Sequence, residues 1–488
     1  MRAAFPTLAL LLCLTAPAMA QVEVEELPEA PPPESEAPPA AETQAPQPAP
    51  QPPPAQPPAV PPPPAELDAR ALETQAEERY ADGDLEGAAV LYRQAADRAE
   101  STAERVRLLV VLASLEHQLA RPDGAVQALT EVLLLQPEYT LDESAHSRDF
   151  VDVYFEAKKR ATDERHRQSN DRLREALEKL AAGDQGAARK LLEEGLALRP
   201  NAPELLYNLA LLDQREGKAD AAIAGFQKLM ALRAAAPGEI PAELQGQTLN
   251  SLGILYYERG FNEDAEAALA EAIAIDPNQS KVWNNLGLAR RKLGKRQEAT
   301  EAFRRAHELD PADDAALNNL ALAYIDAANW TAAAALLAEG TARAPQNAGL
   351  WFNLGVAKRG LGDLPGAAEA LRQAIAADAG NQGGVAARSA SYLALVLYEQ
   401  GDAAAAAAAA QRAIELNADD VQAWTYLGLA QQAQGDLEGA RASLEKATAL
   451  DPTGAEIANN LGSTYFRLGD YAKAETAFQR SLTLRPDF

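Results

Sequence analysis

The chain has 488 residues, with 45 Lys and Arg against 71 Asp and Glu, giving a formal net charge of −26. That acidity excludes a general nucleic-acid binder, because a phosphate backbone attracts the opposite sign. One cysteine and four histidines exclude a disulfide framework and speak against a Cys/His metal centre.

Arg2 opens the chain with a positive charge, and Leu8 to Leu14 form an apolar run too short to span a bilayer. Ala18-Met19-Ala20 is a small-residue cleavage pattern, so residues 1–20 are expected to be a signal peptide and the mature chain to start at Gln21. Leu12 before Cys13 is a poor context for a lipid-modified cysteine. No later stretch is apolar enough for a transmembrane helix, so the mature chain is expected to be exported without one. The periplasm of a Gram-negative bacterium is the expected compartment.

Residues 21–68 read as a disordered Pro/Glu-rich linker. From Pro28 to Pro64 there are 18 prolines in 37 residues, and Gln21 to Pro64 holds seven glutamates and no basic residue. Proline removes backbone donors and fixes φ, so helix and sheet are both disfavoured. The segment reaches roughly 115 Å at about 3.1 Å per residue.

From Ala69 the sequence repeats with a period of 34. Trp283-Asn284-Asn285-Leu286-Gly287 recurs as Trp351-Phe352-Asn353-Leu354-Gly355, and Asn459-Asn460-Leu461-Gly462 follows the same pattern. Units start at Ala69, Val106, Ser169, Pro203, Gly246, Ser280, Asp314, Ala348, Ala387, Val421 and Ala455. Position 8 of each unit is small, for example Gly253, Gly287 and Ala321, and position 20 is always alanine, from Ala88 to Ala474. Glycine inside a helix costs roughly 0.5–1 kcal/mol, so its recurrence at one offset implies a close helix–helix approach.

This pattern resembles the tetratricopeptide repeat (TPR) family, whose unit is a helix-turn-helix. The resemblance implies an all-α TPR solenoid, a right-handed superhelix of stacked units, after the signal peptide and the proline-rich linker. The expected organisation is an N-terminal TPR pair at 69–139, a helical insertion at 140–168, units three and four at 169–236, units five to eight at 246–381, and units nine to eleven at 387–488. Unit nine carries alanine, Ala410, where other units have a bulky side chain at position 24, which predicts a loosely held unit.

In the family, positions 2, 5, 6, 9, 12 and 13 of the first helix face the groove. Position 6 holds Asn208, Asn285, Asn319, Asn353 and Asn460, and a primary amide donates and accepts together, which suits an extended peptide backbone. Arg291, Lys292 and Arg359 add positive charge at groove positions, which suits an acidic partner or an anionic polymer. The lysine and asparagine of the family's carboxylate clamp are missing: Asn284 and Leu288 stand in their places in unit six.

No nucleophile, phosphate loop or metal-ligand spacing appears, so no enzyme activity and no cofactor are expected. Two functions remain open. One is an exported scaffold that binds subunits of a cell-envelope machine for motility, pilus assembly, secretion or polysaccharide export. The other is a chaperone-like or polysaccharide-binding module that holds extended ligands in its groove.

Overall fold

The computed structural model describes residues 67–487. The expected signal peptide and all but the last two residues of the expected linker lie outside the described residues. Among them the chain forms 22 α-helices, one short 3-10 turn and no strand.

The first six helices are α1 (Ala69–Ala81), α2 (Leu85–Arg98), α3 (Thr102–Gln118), α4 (Pro122–Leu135), α5 (Arg148–Ala181) and α6 (Gln185–Leu198). After α7 (Pro203–Arg215) come α8 (Ala219–Ala235), α9 (Ala242–Glu258), α10 (Asn262–Ile275), α11 (Ser280–Lys292), α12 (Arg296–Leu309), α13 (Asp314–Asp326) and α14 (Trp330–Arg343). Then follow α15 (Ala348–Gly360), α16 (Leu364–Ala377), α17 (Val385–Glu399), α18 (Ala403–Leu416), α19 (Val421–Gln434), α20 (Leu437–Leu450), α21 (Ala455–Arg467) and α22 (Tyr471–Leu484). The chain divides inside α7 into two compact units, up to Leu205 and from Leu206 on.

In the first compact unit, the core joins Leu72, Leu109, Leu112, Leu129 and Leu133 to Phe150, Val153, Tyr154, Ala157 and Ala161 of α5. Tyr154 donates its hydroxyl to the carbonyl of Tyr139 at 2.9 Å, and the rings of His117 and His146 lie 5.2 and 5.0 Å from Phe150. The sequence pattern separates an insertion ending at 168 from a repeat starting at Ser169. In the structure one unbroken 34-residue helix runs through that boundary. It contains no Pro or Gly, and Arg160–Glu156, Arg167–Glu164 and Arg174–Asp171 pair at helical spacing along its polar side. Its first half covers α4 and its second half pairs with α6.

From α7 onward, helices alternate as A and B partners of successive units. α11, α13, α15, α19 and α21 begin at Ser280, Asp314, Ala348, Val421 and Ala455, the first positions of their units. Within a unit the two helices close on position 8. A Cβ placed on Gly287 would lie 2.5 Å from the Phe303 ring, and one on Gly253 would lie 2.4 Å from Leu269. The same holds for Gly355 against Leu371, Gly428 against Leu444 and Gly462 against Phe478. The side chain lying over position 8 is thus the bulky residue at position 24. The alanine at position 20 comes close through its backbone, as the carbonyls of Ala367 and Ala440 show.

The A–B turn is a glycine in the left-handed region, followed in units eight to eleven by an aspartate that caps helix B; in units four to six Lys218, Phe261 and Lys295 stand there without a side-chain cap. Gly362 (φ +80°) ends α15, and Asp363 accepts the amide of Gly366 at 2.9 Å. Asp402, Asp436 and Asp470 cap α18, α20 and α22 in the same way. Unit seven departs from this: Ala328 stands in the glycine place at φ 54°. Between units, a position 4 tryptophan in units six, eight and ten ties the preceding turn to the A helix. Trp283, Trp351 and Trp424 donate their indole N–H to the carbonyls of Pro277, Pro345 and Ala418 at 2.8–2.9 Å.

Unit nine is filled differently from the expected loose packing. Ala410 sits over Ala394, and the missing bulk comes from α17, in which eleven of fifteen residues are buried, including Tyr392, Leu393, Leu395, Val396 and Leu397. The volume lost on helix B is supplied by helix A. Amide exchange in α17 is therefore expected to be at least as slow as in α11 and α12; faster exchange would restore the loose reading.

A left-handed conformation costs a non-glycine residue roughly 1–2 kcal/mol. Ala328→Gly should accordingly stabilise the protein by about 0.5–1 kcal/mol, and Gly362→Ala should destabilise it by about 1 kcal/mol. Denaturant midpoints of the two variants, moving in opposite directions, check the turn assignment.

Candidate functional site

The A helices of consecutive units touch one another from α9 through α21, so their outward sides form one continuous surface in the second compact unit. Seven of the eight sequence-selected residues lie on these helices: Asn285, Arg291 and Lys292 on α11, Asn319 on α13, Asn353 and Arg359 on α15, and Asn460 on α21; Asn208 is on α7, outside this series.

The three central asparagines are not isolated amides. Asn285 donates its side-chain N–H to Asn250 Oδ1 at 3.1 Å, Asn319 to Asn284 at 2.9 Å and Asn353 to Asn318 at 2.6 Å. Each rung joins position 6 of one unit to position 5 of the unit before it. One donor of each position-6 amide is spent inside the protein. Among the described residues no protein partner engages the second donor or the carbonyl, nor the position-5 amide hydrogens of Asn250, Asn284 and Asn318. The rung fixes the amide planes, so these remaining groups are pre-oriented. The sequence reading missed the position-5 partners, although the Asn284-Asn285 and Asn318-Asn319 doublets carried the signal.

Beyond unit eight the surface changes character. Position 6 becomes Tyr392 and Tyr426, and position 5 of unit eight is Phe352, whose ring meets Tyr392 edge-on at 5.8 Å. Arg359 is held there rather than presented. It donates to both carboxylate oxygens of Glu399 at 2.9 and 2.6 Å and to the Tyr392 hydroxyl at 3.1 Å. Hydrogen bonding to Glu399 outweighs burial and raises its already high pKa further. Arg388 lies over the Phe352 ring at 5.3 Å.

Unit six is locally basic, with Arg290, Arg291, Lys292, Lys295, Arg296, Arg304 and Arg305 within 16 residues, and these side chains are of two kinds. Arg290 and Lys295 both pair with Glu266 on α10, and Arg304 and Arg305 pair with acids of their own helix. Arg291, whose only contact of this kind is the Phe303 ring at 6.0 Å, and Lys292 have no carboxylate partner among the described residues. Asn460 accepts the Thr464 hydroxyl through its backbone carbonyl. Its side chain and that of Asn208, which has an interaction of its own, stand apart from the three-rung series. Among the described residues no group of three or more His, Cys, Asp or Glu is placed to hold a metal ion, and no helix is long and apolar enough to cross a membrane.

Models of the tetratricopeptide repeat match residues 246–275, 280–313, 318–382, 392–455 and 427–487. The chain is a tetratricopeptide repeat protein. No curated protein sequence matches it. Among solved structures it is similar to the APC/C hetero-tetramer Cut9–Hcn1, at 17% identity over 86% of this chain and 82% of that one, with a TM-score of 0.39. It is also similar to yeast Tom70, at 15% identity over 86% of this chain and 96% of that one, with a TM-score of 0.36. A third is YrrB, described as a TPR protein with an unusual peptide-binding site, at 20% identity over 45% of this chain and 93% of that one, with a TM-score of 0.27. The repeats place the protein in the class of protein-interaction scaffolds.

The aromatic stretch of the TPR surface has a measurable consequence. Burial pushes the Tyr426 phenol up to about 12, and burial also raises Tyr392. A phenol with a raised folded pKa keeps its proton when the unfolded chain, at about 10, has lost it. The corresponding stability is complete below pH 10 and is lost as pH rises towards 12. Tyr426→Phe removes this contribution, so its alkaline unfolding midpoint should lie higher relative to its neutral stability than that of wild type.

Proposed function

We propose that this TPR protein is a non-enzymatic, exported scaffold that holds extended segments of partner proteins on its A-helix surface. The observation that carries the reading is the series of oriented asparagine rungs across units five to eight. A peptide backbone alternates donors and acceptors, and the half-buried amides of the Asn285 and Asn319 rungs hold both kinds of group in fixed orientation, while Asn353 closes the series as a buried rung. Several such contacts, each worth about 0.5–1.5 kcal/mol net, add to an affinity without calling on a reactive group.

The expected compartment is the periplasm and the expected role is in assembly of a cell-envelope machine. The apolar start with its Ala18-Met19-Ala20 pattern and the acidic proline-rich stretch after it support that reading. A chaperone-like holder is the second reading, favoured by one feature: amide rungs address the backbone, which all clients share.

The test is in-cell crosslinking and pull-down with wild type and a triple Asn285→Ala, Asn319→Ala, Asn353→Ala variant. The variant also loses three inter-unit hydrogen bonds, so Gly362→Ala, which destabilises a turn and leaves the rungs intact, serves as the control. One or two stoichiometric envelope proteins, lost in the triple variant and kept in Gly362→Ala, are the expected result. A broad set of weakly held clients would favour the holder. Partners unaffected by the triple variant would remove the rungs from the function.

A further inference from the structure

Resting on the reading above, we infer that unit six selects, within a bound extended peptide, one acidic side chain set between non-acidic neighbours. The observation is where charge is left uncompensated. In units five to nine most basic side chains have a carboxylate partner: Arg290 and Lys295 share Glu266, Arg343 pairs with Asp314, and Arg359 with Glu399. Among the described residues of these units, Lys281, Arg291, Lys292, Arg296, Lys358 and Arg388 have none. Four of these six occupy the outward positions of an A helix, and three of the four, Lys281, Arg291 and Lys292, sit on the single helix α11.

On α11 these cations bracket the amides. Lys281 is at position 2, Asn284 and Asn285 at positions 5 and 6, and Arg291 and Lys292 at positions 12 and 13. Six or seven residues of helix separate the rung from the cation pair, about 10 Å along the axis. A glutamate reaching from a peptide seated on the rungs and a lysine or arginine reaching from the helix together span that gap. In units five to nine, Arg343 and Arg359 are held by Asp314 and Glu399, whereas α11 carries two adjacent cations with no carboxylate partner among the described residues.

The neighbouring helices set the limit. At position 13, α9 carries Glu258 and α13 carries Asp326, and neither is paired with the α11 doublet. The order along the surface is therefore acid, two bases, acid. A uniformly anionic polymer would meet repulsion one unit to either side, whereas a peptide with one acid opposite unit six meets none. The rungs point the same way: their remaining acceptors and donors suit an amide backbone, while a polyanion supplies acceptors alone.

The experiment probes the purified full chain against an array of twelve-residue peptides of varied Ala, Ser, Val and Gln sequence. Each is spotted in four forms: with a central Glu, with Gln in its place, with Lys in its place, and with Glu throughout; heparin is tested in solution as a competitor. Wild type should retain the single-Glu form about fivefold more than its Gln twin, the scale of one exposed ion pair, and the all-Glu form no better. The Glu preference should vanish in Arg291→Gln, Lys292→Gln, which leaves the rungs in place, and should reverse towards Lys in Arg291→Glu, Lys292→Glu. Equal retention of Glu and Gln forms overturns the charge selection and leaves the peptide-holding surface standing. Strongest retention of the all-Glu form, or heparin outcompeting every peptide, overturns it in favour of a polyanion. No retention of any form removes both the selection and the surface.

Discussion

The structure depends on one contact made once per unit: the closure of helix B's bulky position 24 onto the small position 8 of helix A. Five glycines at position 8 have no room for even one methyl group, since the ring or branched side chain opposite already occupies the place. That contact sets the separation and crossing of the pair. It also brings each A helix within reach of the next, as the rung distances of 2.6–3.1 Å require. A unit this small buries too little apolar area to stand alone, so the same geometry must be copied along the array for the core to be continuous. Unit nine shows that the constraint is on summed volume rather than on any one residue. Two alanines face each other at positions 8 and 24, and α17 supplies the bulk from the other side.

The period was legible because it rests on local chemistry. The turn needs a residue that adopts positive φ, glycine in most units, and the pair needs a small residue at position 8; both recur at fixed offsets, and in units eight to eleven an aspartate also caps the next helix. Helix starts such as Ser280, Asp314 and Ala348 could be placed from those offsets alone. The fusion of the presumed insertion with the A helix of unit three was less legible. Nothing at Ser169 breaks a helix, so an offset counted from the repeat pattern imposed a boundary that the backbone has no reason to make.

The binding surface was legible only in outline. Sequence places Asn285, Asn319 and Asn353 on one face, but a pairing between residues 35 apart follows from inter-unit geometry, which no local pattern encodes. The rungs change what those amides mean. An exposed asparagine on a helix is a mobile donor and acceptor that gives up rotamer freedom on binding. One tied to its neighbour has already lost that freedom, so its remaining hydrogen-bonding groups are offered at lower entropic cost. Structural and binding roles are therefore not competing accounts of these residues; the first prepares the second.

The same separation applies to charge. Counting basic residues between 290 and 305 gives a cluster, and a cluster on an acidic protein suggests a broad anion site. Partner by partner, the cluster divides into Arg290, Lys295, Arg304 and Arg305, neutralised by Glu266, Glu301 and Glu308, and three cations without a carboxylate partner among the described residues: Arg296 on α12, and Arg291 and Lys292 adjacent on α11. Arg359 shows the contrast on the same face: it lies at the position equivalent to Arg291, two units on, and both its guanidinium arms are occupied by Glu399. In a chain with 26 more formal negative than positive charges, carboxylates are in excess and a cation readily finds one. Two adjacent cations left without a partner, opposite oriented amides and between two acids, mark a position where a carboxylate from another chain gains attraction without displacing an existing pair.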